Sequence, residues 1–216
     1  MTDRSTERWW ISLNVTRTRV TLLGFNLSVV AFLSAMILEA RGEAAFTHHL
    51  PGMASLFLSF ALSFLSAICL LSSQEIDREG HSRPLLFSIG DVLMYVALSQ
   101  SLAAMMRSSL SAIDKTVEHV DITYASDNAG SVVLMILAAV GVAAWMLTIY
   151  VGPAVSIRRS PTEGKSKLTV IAVYALTVLL TFAVATDAHM VQDAVLNDPE
   201  PVWKIFLWQF MQPLTW

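Results

Sequence analysis

The stretch PLLFSIGDVLMYVALSQ holds the residues of this chain best suited to chemistry. Ser88, Asp91, Tyr95 and Ser99 follow one another at spacings of three, four and four. On a helix that pattern puts a carboxylate, a phenol and two hydroxyls on one face. Asp91 sits among residues apolar enough for a lipid interior, where inserting a carboxylate costs about 2.5–3.5 kcal/mol. It must therefore face protein or water, and it needs a partner. Such a group can bind or pass a cation or a proton. It can equally hydrogen-bond a Tyr or Ser of a neighbouring helix and hold the fold together. Gly90 beside it permits a close helix approach.

Two further stretches carry hydroxyls in register. In SLFLSFALSFLS, Ser55, Ser59, Ser63 and Ser66 fall within about 80° of one another on a helix. Small residues at this spacing let membrane helices approach closely, and a Ser hydroxyl can bond the carbonyl four residues back. Turned toward water, the same stripe would form the wall of an ion path. Tyr174, Thr177 and Thr181 share a face in VYALTVLLTFAVATD. Ala138, Gly141 and Ala144, with Trp145 beside them, read instead as a packing face.

Other chemistries find little support. Cys69 is the single cysteine, which excludes an intrachain disulfide and a cysteine metal site. His48, His49, His81, His119 and His189 fall in connections or at the ends of apolar windows, where paired haem ligation is not expected. None has ligand partners at metal-site spacing, and His119 with Glu118 and Asp121 reads as a solvated loop. GxSxG, HExxH and GxxxxGK[ST] are all missing. The expectation is therefore no enzyme, no cofactor and no metal. The basic segments are short, and nucleic acid is not an expected partner.

The elements that must position these groups follow from composition. Of 216 residues, 55% are hydrophobic and only 14% charged, against about 25% charged in a soluble domain; mean hydropathy is +0.58. Five apolar windows, 20–38, 53–71, 85–105, 132–151 and 168–185, are each near the roughly 20 residues that cross a hydrocarbon layer. Asp91 is the only formal charge inside them. Unpaired backbone groups are too costly in lipid and the alternation of an outer-membrane barrel is missing, so the windows are helices. The first is too long for a signal-peptide core and lacks a cleavage site, which predicts a retained helix.

Basic residues set the orientation. Arg4, Arg8, Arg17, Arg19, Arg78, Arg83, Arg158, Arg159, Lys165 and Lys167 sort to one side, against Arg41, Arg107, Lys115 and Lys204 on the other. Ten against four predicts a cytoplasmic N-terminus and an outer C-terminus. The outer side is acidic, with Asp114, Glu118, Asp121, Asp127, Asp187, Asp193, Asp198 and Glu200. Trp9 and Trp10 suit the headgroup layer before the first span. Ile113, Val117 and Val120 predict an amphipathic helix within an outer loop over 106–131. The tail 202–216, with WKIFLWQFMQPLTW, reaches only about 21 Å and is too short to span. It is expected to lie in the outer interface or to dock on another protein.

The sequence thus predicts an all-α polytopic membrane bundle of about five transmembrane helices, one integral membrane domain over 1–216. An outer amphipathic helix and an aromatic interfacial tail complete it. The expected location is the plasma membrane, or the inner membrane of a prokaryote. The polar faces of the second and third spans imply a homo-oligomeric pathway for ions or protons, with Asp91 controlling passage. The alternative is a non-catalytic scaffold, sensor or accessory subunit of a larger membrane complex, docked through the tail Trp203–Trp216. The lipid bilayer is a partner in either case.

Overall fold

A computed structural model describes residues 4–39, 43–78, 84–119, 129–160, 162–196 and 200–210. Among them the chain is almost entirely helical, with no strand. The helices are α1 (Arg4–Glu39), α2 (Glu43–Arg78), α3 (Pro84–His119), α4 (Ala129–Met146), α5 (Gly152–Arg159), α6 (Gly164–Leu196) and α7 (Val202–Gln209), with a π-helical turn, Leu147–Val151, joining α4 to α5. Five stretches are long and apolar enough to cross a membrane: Arg17–Ala35, Leu50–Ser73, Pro84–Ser109, Met135–Arg159 and Gly164–Ala194. They overlap all five windows expected from composition, and three run well past them.

α3 is the axis of the bundle. It packs against α1, α2, α4, α5 and α6, and it is the most enclosed of the five stretches. Its pairing with α2 is the most extensive. A glycine explains how close the two come: a Cβ on Gly90 would lie 2.9 Å from Leu70 Cγ and 3.1 Å from Cys69 Cβ. The main apolar core joins Leu62 of α2, Val96, Ala97 and Ala103 of α3, Trp145, Ile149, and Val178 and Phe182 of α6. Outward faces carry large apolar side chains, among them Phe25, Phe32, Phe57, Phe64 and Leu176, as a surface bathed in hydrocarbon would.

Two segments differ from expectation. α3 runs on through Arg107 to His119, so the first half of the 106–131 segment continues the central helix instead of forming a separate one. Val120 and the rest of the loop to Asn128 lie outside the described residues. The tail begins as a helix that turns back on α6. Ile205 and Gln209 are buried, Phe210 meets Phe182 edge-on at 4.7 Å between centroids, and Tyr150 Oη donates to the Phe210 carbonyl at 3.1 Å. Phe182 lies halfway along α6, so the tail returns into the bundle instead of lying across its end. Burying Ile205 and Phe206 beside the core is what the interfacial expectation omitted. Residues 211–216 lie outside the described residues.

Candidate functional site

The π turn decides what faces Asp91. Gly152 N–H reaches the Leu147 carbonyl, five residues back, and the backbone stays helical through Val151 and Gly152. One extra residue in a turn rotates everything beyond it by about 100° relative to an unbroken α-helix. Pro153 follows, with no N–H to return to the Ile149 carbonyl four residues earlier. Tyr174 of α6 supplies the donor instead, its Oη lying 2.5 Å from that carbonyl oxygen. Gly152 lets the turn rest on a ring: a Cβ there would lie 2.5 Å from Tyr95 Cδ1.

The rotated α5 presents Ser156 and Ser160 to the start of α3. Ser156 donates to Asp91 Oδ2, and Ser88 and Ser160 share a hydrogen bond of 2.5 Å. Thr162 extends the chain of hydroxyls at 2.8 Å from Ser160. On the other flank Arg19 of α1 places its Nε 2.6 Å from Asp91 Oδ1, off the N–H line, with the guanidinium 4.4 Å from the centre of the Phe87 ring. Asp91 is 2% exposed and Arg19 21%. Between α1, α3 and α5 a cavity of about 180 Å³ opens, lined by Arg19, Asp91, Tyr95, Ser156 and Arg159 among others. It lies at the end of the bundle that carries Arg17, Arg158, Lys165 and Lys167.

The serine stripe of α2 is consumed inside the chain. Asn26 of α1 donates to Ser59 at 3.0 Å and Ser63 at 2.8 Å, and accepts from Ser101 of α3. Ser59 donates to the Ala97 carbonyl at 2.7 Å and Ser66 to the Gly90 carbonyl at 2.6 Å. Ser55 bonds within its own helix, to Pro51. All four serines are buried. Membrane hydrogen bonds of this kind average about 0.6 kcal/mol, so these five cross-helix bonds together contribute about 3 kcal/mol.

The remaining candidates stay local or buried. Ser99 donates to the Val96 carbonyl, and Gln100 Nε2 reaches Ser99 at 3.4 Å. Thr177 and Thr181 each bond the carbonyl four residues back on α6. Far from Asp91, Arg107 of α3 meets His189 of α6 at 3.2 Å. The structure thus brings Ser88, Asp91 and Tyr95 together at one cavity. It places Ser59, Ser63 and Ser66 in helix–helix contacts, and leaves Ser55, Ser99, Thr177 and Thr181 bonded mainly to their own helices.

Three participants escaped the sequence reading, and a fourth, Tyr174, was read only as part of a polar face. Asn26 is an amide inside an otherwise apolar window, a signal that was available. Arg19 stood at the edge of the first window and read as a topology marker only. Ser156 and Tyr174 depend on the π turn, whose one trace is the Gly152–Pro153 pair.

No family model, no curated protein and no solved structure matches the chain.

Proposed function

We propose that this chain is a non-catalytic membrane subunit, a scaffold or sensor within a larger assembly, with its basic end in the cytoplasm. The observation carrying this reading is the direction of the polar faces. Ser59, Ser63 and Ser66, the stripe suited to a conduit wall, point into the protomer at 0% exposure. The surface left for other chains is apolar, and α7 adds to it Val202, Trp203 and Leu207, all more than half exposed. Aromatic residues of this type anchor interfaces. The ten-to-four sorting of basic residues supports the orientation, and the five apolar helices support multiple crossings of a plasma or inner membrane.

One observation favours permeation through an oligomer as the second reading. Asp91, Gln100 and Arg107 follow one another along α3 over about 24 Å, and His189 joins the last. Polar groups therefore occur at both ends of the span and between them.

Extraction in mild detergent separates the two. The chain is expected to migrate with other proteins and to lose them when Trp203 and Leu207 become Glu. Liposomes of the purified chain are expected to pass neither protons nor small cations. A closed ring of identical copies with measurable flux would transfer the assignment to the permeation reading. Impermeant thiol labelling checks the orientation, with Glu163→Cys silent in intact cells and Ser126→Cys reactive.

A further inference from the structure

Arg107 of α3 and His189 of α6 meet at the end of the bundle away from Asp91 and the basic cluster, and both are half-buried. One guanidinium nitrogen, Nη2, lies 3.2 Å from His189 Nε2. A guanidinium only donates, so this hydrogen bond needs a lone pair on Nε2. The imidazole that fits is therefore neutral, with its proton on Nδ1. The other neutral tautomer and the imidazolium both turn an N–H toward the guanidinium.

The surroundings offer little to a second proton. Arg107 Nη1 is buried with no hydrogen-bond acceptor among the described residues, so acceptors are already short at this contact. The charge acting on His189 is that of Arg107. The other charged groups described at this end belong to α6 and to the start of α7. Asp187 lies on the exposed face of α6, Asp193 follows His189 by one turn, and Glu200 pairs with Lys204. The side chains that α1, α2 and α4 bring to this end, over 29–35, 50–56 and 135–141, carry no charge.

We propose that Arg107 and His189 form a proton-sensitive clasp, which joins α3 to α6 while the imidazole is neutral and releases when the ring takes a second proton. Two cations then face each other where a hydrogen bond stood. In the unfolded chain an imidazole takes that proton at about pH 6.5. The clasp resists it, so its contribution to stability is present at higher pH and is lost as pH falls below that value. Release acts on the end of α6 against which α7 packs, and so on the seat of Trp203 and Leu207. The inference rests on the α3–α6 contact and stands under either reading above.

Thermal unfolding of the full chain in maltoside micelles, followed from about pH 7.5 to about pH 4 across the imidazole range, tests the clasp. On acidification the wild-type midpoint is expected to fall by at least about 4 °C more than that of His189→Gln. The Gln carbonyl accepts from Arg107 and does not titrate. Arg107→Gln, whose amide suits either form of the ring, is expected to flatten the profile in the same way, so either variant suffices where the other fails to fold. Parallel profiles for the wild type and the folded variants would overturn the proposal. Nitrogen NMR of the histidine-labelled chain at neutral pH adds a direct check. The ring signal missing from His189→Gln is expected to show a proton on Nδ1 alone, and a proton on Nε2 would overturn the proposal as well.

Discussion

Removing the Asp91 carboxylate isolates a guanidinium that has little water to turn to. Asp91 is 2% exposed and Arg19 21%, and the two join α1 to the bundle axis. Breaking a buried pair by deleting one partner costs about 3–5 kcal/mol; the partial exposure of Arg19 lowers the expectation to about 2–3 kcal/mol. Asp91→Ala and Arg19→Ala should each destabilise by that amount. The double variant, with both charges gone, should lose far less than the sum. Replacing the pair by Leu at both positions should be neutral or mildly stabilising, because desolvation of two ions then disappears. The assay is denaturant unfolding in mixed micelles followed by helical circular dichroism, read as a double-mutant cycle. A coupling below about 0.5 kcal/mol would refute the pairing. Asp91→Asn adds a refinement: the amide can still accept from Ser156, so its cost should fall between wild type and Asp91→Ala.

Three smaller predictions follow from the contacts. Ser59→Leu should overpack the α1–α2–α3 junction and destabilise by about 1–3 kcal/mol, whereas Ile68→Leu, on the 48% exposed opposite face, should be silent in the same unfolding assay. Tyr174→Phe should cost about 1–3 kcal/mol, since the Ile149 carbonyl beside Pro153 then loses the Tyr174 donor; no change in the unfolding midpoint would mean that the π turn satisfies itself. Gly152→Val should drive the Tyr95 ring aside and destabilise the junction of α3 with the π turn, measured as a fall in the thermal midpoint.

Some of this was legible in the sequence and some was not, for definable reasons. A carboxylate in an apolar window needs a partner wherever the chain folds, so Asp91 announced an interaction, and its spacing to Ser88 and Tyr95 placed all three at one cavity. The partner was not readable, because Arg19 is 72 positions away and its charge already had an explanation in topology. The α2 stripe specified a small, hydroxylated face; what it meets depends on Asn26, a single residue without periodicity. The return of α7 was hidden because a short aromatic helix suits an interface and a core equally well by composition. The π turn is the hardest case. Its i→i+5 bond is a backbone event, and only Tyr174 and the missing N–H of Pro153 mark it.

The central position of α3 has a consequence for how the protein enters its bilayer. Translocation machinery offers helices to lipid in order, and each is judged largely on its own hydrophobicity. α3 carries Asp91, Gln100 and Arg107, so alone in hydrocarbon it would leave two charges and an amide unshielded. Relief of its charges comes from both directions along the chain: Arg19, which meets Asp91, is made before it, and Ser156 and His189 after. The nascent α3 must therefore be held beside α1 and α2, with Arg107 at the far interface, until α5 and α6 arrive. Biogenesis of this chain is a waiting problem, and variants that weaken the α2–α3 seam should be degraded during synthesis before any loss of stability shows in the finished protein.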